Sequence, residues 1–275
     1  MLKTRIITAV VLLAVLLPIL FLNSFPAFAV VVTLSFGAAI WESFRLFRPD
    51  PRQAVAVAVV WAAMYAFLFL AKPGDPRIWF VIALAAWLAR FVPSLKTGLP
   101  PLDGPANTTL SMMYAVAVFG CFVAIADLFR HSPLYLLSVM ALVWVADVGA
   151  YFAGRAFGRR KLAPSISPGK SWEGAIGGGV AVLVLGCASV ALGGAALADT
   201  FAARVQAALG WPALAGVLVL VTAASVVGDL FESQLKRRAG VKDSSNLLPG
   251  HGGVLDRIDA LIPVLPLAAL IGAWL

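Results

Sequence analysis

The chain has 275 residues, 61% of them hydrophobic and 12% charged, with a formal net charge of +8. A soluble domain carries about 25% charged residues, so these figures argue against a water-soluble globular fold and make a bilayer the solvent. The long apolar runs lack period-2 alternation, which argues against a transmembrane barrel and for helices, the other way to pair every backbone polar group in lipid.

At about 20 residues per crossing the length accommodates about nine helices with short loops. Spans are expected at 6–22, 26–44, 53–71, 78–94, 110–128, 134–154, 175–196, 212–231 and 260–274. The expected fold is all-α, a polytopic helical bundle forming one transmembrane domain over residues 1–275, with 1–130 as scaffold and 131–275 carrying the chemistry.

The first span follows Lys3 and Arg5 and precedes Ala27-Phe28-Ala29, an arrangement similar to a cleavable signal peptide. The long apolar run and the second span that follows favour a retained helix. Further along, Pro, Gly and charge mark the turns: Arg48-Pro49-Asp50-Pro51, Lys72-Pro73-Gly74-Asp75-Pro76, Gly98-Leu99-Pro100-Pro101 and Arg130-His131-Ser132-Pro133. Asp127 and Arg130 are expected to pair or to face water, and His131 to be solvated in its loop. Cys121 and Cys187 lie in apolar runs as isolated thiols. Alternating the loops between two sides puts 17 of the 21 Lys and Arg on the side of the N-terminus, and four, Lys72, Arg77, Arg130 and Arg204, on the other. The positive-inside rule makes the first side cytoplasmic, in a cell membrane expected to be the bacterial inner one.

Two polar segments fall on that side. In the first, Asp147 to Gly174, the residues Asp147, Tyr151 and Arg155 share a helix face at i, i+4, i+8. They are open to two readings, a functional site or an ion pair that satisfies itself near the interface. Gly154-x-x-x-Gly158 and Gly174-x-x-Gly177-Gly178-Gly179 suit close helix packing better than phosphate binding. Ser165, Ser167, Lys170 and Ser171 form a mildly basic patch able to meet a triphosphate.

The second segment, Ser233 to Asp259, holds five basic and three acidic residues between two apolar stretches. Charge beside a lipid core is costly and marks a site. If the eighth span continues helically, Asp229, Glu232, Ser233 and Lys236 share one face at i, i+3, i+4, i+7, and Asp256 and Asp259 share another at i, i+3. Between them Leu248-Pro249-Gly250-His251-Gly252-Gly253 is expected to fold back sharply, with glycine amides free to approach a phosphate. Carboxylates from two helix ends suit Mg²⁺, which takes one or two protein carboxylates and fills its other positions with water and substrate phosphate. A solvated, lipid-touching loop accounts for Arg237, Arg238 and Lys242, but poorly for Asp229 or for Asp-Arg-Ile-Asp entering a span. His251 fits a loop cap or a reacting group equally.

The segment Ser233-x-Leu235-Lys236-Arg237-x4-Lys242-Asp243-x-Ser245-x2-Leu248-Pro249-x-His251-Gly252-Gly253-Val254-x-Asp256-Arg257-Ile258-Asp259 resembles the signature of the phosphatidate cytidylyltransferases. Upstream, Asp147-x-Gly149-Ala150-Tyr151-Phe152 with Gly154-Arg155, then Ser167-Pro168-x-Lys170-Ser171-Trp172-Glu173-Gly174, is similar to the same family. Val148 and Ser171 stand where threonines are expected. Serine keeps the hydroxyl and valine does not.

The resemblance covers the last half of the chain. It implies that CTP and phosphatidic acid give CDP-diacylglycerol and pyrophosphate, with Mg²⁺ on Asp229 and Asp256, Asp259 beside them and Lys236 essential. Ser167, Lys170, Ser233, Arg237, Lys242, Asp243, His251, Gly252, Gly253 and Arg257 are the expected substrate contacts. A second cation and a homodimer are left open, the latter because Gly186 and Gly193-Gly194 permit helix contacts. The expected partners are the two substrates and the bilayer, without nucleic acid. A carrier using Asp147 and Asp229 would want broken helices in repeated halves, and no repeat is evident. A CTP-dependent lipid kinase would move the γ-phosphate instead.

Overall fold

A computed structural model describes residues 2–47, 51–71 and 74–275. Two of the expected turns, at 48–50 and 72–73, lie outside the described residues, as do the side chains of Lys3 and Arg5. The elements run in chain order as α1 (Leu2–Phe21), α2 (Phe25–Phe47), α3 (Pro51–Tyr65, continued by a π-helical stretch Ala66–Ala71) and α4 (Arg77–Ala86). A second π stretch, Trp87–Phe91, joins α4 to α5 (Val92–Thr97), and α6 (Pro105–His131) and α7 (Pro133–Phe157) follow. A hairpin of β1 (Lys161–Ala163) and β2 (Ser167–Ser171) leads into α8 (Trp172–Leu192). After a 3₁₀ turn come α9 (Phe201–Arg238), the single-turn α10 (Leu255–Ile258) and α11 (Leu261–Gly272).

Each expected span falls on one of these helical segments. Six helices among the described residues are long and apolar enough to cross a membrane: Phe25–Phe47, Arg77–Thr97, Pro105–His131, Pro133–Phe157, Trp172–Leu192 and Phe201–Arg238. The protein is a helical integral membrane protein. The 38 residues of α9 exceed one crossing because two helices meet at Gly210, whose φ of 82° and ψ of 175° break the helix ahead of Pro212. The span expected at 212–231 is the part after this kink.

The hairpin was not expected. Lys161 pairs with Ser171 and Ala163 with Ser167. Its strands are three and five residues long and the second carries Pro and Gly, so neither alternation nor β-propensity announces them.

Helix α6 is the centre of the bundle, with most of its length buried. Around it Phe36, Tyr65, Phe119 and Phe122 interlock, with ring centroids 5.0–5.9 Å apart at tilted or edge-on angles. Such pairs contribute about 0.5–1.5 kcal/mol beyond area burial. Nearer the polar end, Trp87, Phe91, Tyr114 and Phe231 form a second cluster that roofs the acidic end of α9.

Helices α7 and α8 pack through small residues. A methyl group placed on Gly178 would come within 2.5 Å of the Ala146 carbonyl, and one on Gly174 within 2.9 Å of the Ala150 carbonyl. The glycine runs therefore serve helix approach.

Contacts sort the loops into two sets. On one side Lys170 meets Asp229, Gln234 bonds Ser94, and Arg238 bonds the Pro100 carbonyl. On the other Arg77 reaches the Ala273 carbonyl, and His131 meets Asp199. His131 is the last residue of α6, and its Nε2 lies 3.0 Å from Asp199 Oδ1, so it is paired rather than simply solvated. Asp127 and Arg130 both face a polar cavity on this side.

Candidate active site

The face expected on α9 forms as a helix dictates. Ser233 Oγ donates to Asp229 Oδ1 at 3.3 Å, and Lys236 Nζ donates to Glu232 Oε2 at 2.5 Å, both across i, i+4. Lys236 also donates to Asp256 Oδ1 at 2.8 Å, which ties the end of α9 to α10. Its two carboxylate partners are nearly sequestered, with side chains 0% and 4% exposed.

Asp256 is held by the loop before it. The Ser244 amide and hydroxyl both reach Oδ2 at 2.8 Å, and the Gly253 amide reaches it at 2.7 Å. Burial by itself would raise the Asp256 carboxyl. The Lys236 hydrogen bond, the Gly253 amide and Ser244 outweigh it and hold the group below the usual carboxylate range. Asp259 sits between α10 and α11 and accepts the following Ala260 amide at 2.8 Å. Burial, and then the charge of Asp229, push its carboxyl up. Glu232 Oε1 is buried with no hydrogen-bond partner.

Asp229 is paired with Lys170 of β2. The hairpin therefore carries a cation from the first polar segment to the acids of the second. These two side chains lie at one end of a cleft of about 380 Å³ between α7, β2, α8 and α9. Asp147, Tyr151, Arg155 and Ser171 line the same cleft, with Thr222 and Ser225 of α9 and mostly small apolar residues along the rest. Arg155 donates to the Tyr151 hydroxyl at 3.3 Å, so the expected α7 face is present. Ser171 Oγ accepts the Gly174 amide at 3.1 Å and caps α8. Val148 is 55% exposed on α7 and absent from the cleft lining, so the missing threonine hydroxyl leaves no gap there.

The glycine turn folds back as expected: Leu248 N donates to Gly252 O and His251 N to Leu248 O, both at 2.8 Å, with φ of 78° at Gly250 and 84° at Gly252. One of its amides already has a partner inside the protein. The Gly253 N–H is spent on Asp256, and a side chain on Gly252 would strike Asp256 Oδ2 at 2.7 Å. Gly252 and Gly253 shape the carboxylate's surroundings rather than offering this amide to a phosphate. His251 Nδ1 is buried without a partner.

Lys242 and Asp243 are exposed in a separate groove of about 760 Å³ with Trp41 and Arg45 of α2. Arg237 and Arg257 are exposed, and Arg237 contacts the Val241 carbonyl at 3.4 Å. Ser167 pairs with Ala163 in the hairpin, three residues ahead of Lys170.

Sequence reasoning missed Glu42. It is fully buried in α2 and accepts from Ser245 Oγ at 2.5 Å, Leu255 N at 2.7 Å and Val254 N at 3.1 Å, with Ser244 Oγ at 3.3 Å. A lone acid in an otherwise apolar span was the available signal.

Carboxylate oxygens are the donor type that a hard divalent ion takes. The acids outnumber the bases around Lys236, one buried carboxylate oxygen is unpaired, and Asp256 Oδ1 accepts Lys236 alone. No group of three or more His, Cys, Asp or Glu is arranged as a metal site among the described residues. A carboxylate pair suffices for Mg²⁺, which keeps waters and takes substrate phosphates.

Residues 3–275 match the model of the cytidylyltransferase family. A phosphatidate cytidylyltransferase of Pseudomonas aeruginosa is 39% identical over 99% of this chain and 98% of its own length. One from Haemophilus influenzae is 35% identical over 97% and 96%, and one from Bacillus subtilis 29% identical over 96% and 95%.

Proposed function

The chain belongs to the cytidylyltransferase family, and we propose that it makes CDP-diacylglycerol from CTP and phosphatidic acid, releasing pyrophosphate. The observation that carries this reading is that two lysine–carboxylate pairs, Lys170–Asp229 and Lys236–Asp256, both form along the last turns of α9. Two anionic substrates need cations there, and the chain supplies them from two segments that are distant in sequence, β2 and α9.

An oxygen of the lipid phosphate forms a bond to the α-phosphorus of CTP as the bond from that phosphorus to the bridging α–β oxygen breaks. The nucleophile is already anionic at neutral pH, so no general base is required. Lys170 in the cleft and Lys236 two turns further along α9 lower the repulsion between the two phosphates, with Arg237, Lys242 and Arg257 as outer electrostatic contacts. Positioning and charge neutralisation carry most of such a transfer. Asp229 and Asp256 would hold Mg²⁺, with Asp259 beside them, and that ion would neutralise charge on the reacting phosphates.

The cleft between α7, α8 and α9 is the proposed lateral entrance for the lipid. Tyr151 on its wall and Ile176 beside it are 61% and 63% exposed, so acyl chains can stay in the bilayer while the phosphate reaches Lys170. The basic loops then face the cytoplasm, where CTP is, and the nine helical segments make nine crossings.

The test is incubation of purified protein with phosphatidate and CTP labelled at the α- or the γ-phosphate. Transfer of α-label to lipid supports the reading. Transfer of γ-label would make the protein a lipid kinase, and transfer of neither would point to a carrier.

A further inference from the structure

We propose that Glu42 is a positioning residue for Asp256, acting from a helix that bears none of the family-like motifs. This rests on the reading of Asp256 as part of the reaction site.

A fully buried carboxylate is tolerated only where donors replace its water. The donors to Glu42 come from one short stretch, Ser245 before the glycine turn and Val254 and Leu255 after it, with the Ser244 hydroxyl also in reach. The acid thus staples both ends of the turn to α2. A plain structural staple would stop there. Here, however, the same stretch also holds Asp256. Three consecutive amides are divided between two carboxylates: Gly253 donates to Asp256, while Val254 and Leu255 donate to Glu42. The Ser244 hydroxyl lies between them, 2.8 Å from Asp256 and 3.3 Å from Glu42, and its one proton serves the nearer acid.

The space between the two acids is closed. A methyl on Gly253 would sit 2.1 Å from Ser244 Oγ and 2.4 Å from Glu42 Oε1. Any shift of Glu42 therefore moves the peptide that aims Asp256, and Asp256 is the partner that aims Lys236. Glu42 touches neither substrate in this scheme. It sets the orientation of a group that does.

Glu42→Gln keeps the shape but must point an N–H at one of the donor pairs. The expected result is a fall in kcat of roughly 10–100-fold, the usual cost of losing an outer-shell partner. KM for CTP and for phosphatidate should stay near wild type, because ground-state binding is not the affected quantity. Hydrogen exchange of the 253–255 amides should quicken while α6 keeps its protection. Gly253→Ala, which leaves the Glu42 charge in place, should give the same kcat loss. If Glu42→Gln does not accumulate, Ser245→Ala removes only one donor and should show a smaller loss of the same kind.

Wild-type kcat in Glu42→Gln, or in Ser245→Ala where that variant replaces it, would overturn the proposal, as would a lowered melting temperature with unchanged kcat per folded molecule. An inactive Asp256→Asn beside a fully active Glu42→Gln would overturn the positioning role and leave cytidylyl transfer standing. A wild-type protein that makes no labelled lipid would instead remove the reading beneath it.

Discussion

Lys236 carries two duties in one side chain. It neutralises Glu232 and Asp256, both nearly sequestered from solvent, and it is the proposed contact for substrate phosphate. Removing one member of such a buried group strands the others, at a cost of about 3–5 kcal/mol. Lys236→Ala should therefore lose turnover and also melt earlier in detergent, whereas a lysine that only touches lipid headgroups would alter neither. Asp256→Asn keeps an oxygen for Ser244 and Gly253 but turns an amide toward Lys236. It should insert into membranes at wild-type levels and lose roughly 10²-fold or more in turnover, measured as labelled lipid formed. Near-normal activity would remove Asp256 from the reaction. The helix spacing of Asp229, Glu232, Ser233 and Lys236 was legible in the sequence because i, i+4 geometry is local. The fate of the Gly253 amide was not, because its acceptor is chosen by a loop closing on itself. Glu42 was flagged only as a lone acid in an apolar span, and its partners were illegible for the same reason at longer range: they lie more than 200 residues away.

At the level of elements, the apolar runs announced where helices lie, and six of these helices among the described residues are long and apolar enough to cross a membrane. The hairpin was hidden by its short strands, the second of them bearing Pro and Gly, although it delivers Lys170 to Asp229. The α7–α8 pair depends on glycine more than on hydrophobicity. Gly178→Ala should destabilise the protein by about 1–3 kcal/mol through overpacking against the Ala146 carbonyl, read as a lower melting temperature. An unchanged melting temperature would show that the helices can part freely. On the opposite side, Asp199 is held below the usual carboxylate range, first by the Ser132 hydroxyl and then, against its partial burial, by His131. A depressed folded-state pKa stabilises above the unfolded value, about 3.9, and the gain disappears as pH falls through the folded value. Asp199→Asn should therefore lower the melting temperature at pH 7 and converge with wild type in acid below about pH 4. A gap that persists in acid would assign the effect to packing.

For the whole molecule, the asymmetry of Lys and Arg and the pairing of loops tell one story. Loops that alternation assigns to the basic side contact one another, and so do those assigned to the other side. The division into an N-terminal scaffold and a C-terminal reacting half is crossed by Glu42 of α2, which belongs to the site through its donors. Composition could not reveal that crossing, because it records which residues are costly in lipid and not which of them meet. What the assembled bundle adds is a lysine for each of two aspartates, Lys170 for Asp229 on α9 and Lys236 for Asp256 on α10, and the proposed function brings both acids to one ion. The claim that they act together on one divalent ion is most directly tested by titrating Mn²⁺, followed by its electron paramagnetic resonance, into wild type, Asp229→Asn and Asp256→Asn in the presence of CTP. The account predicts one protein-dependent Mn²⁺ site per chain in wild type and its loss in both variants; retention of that site in either variant would contradict it.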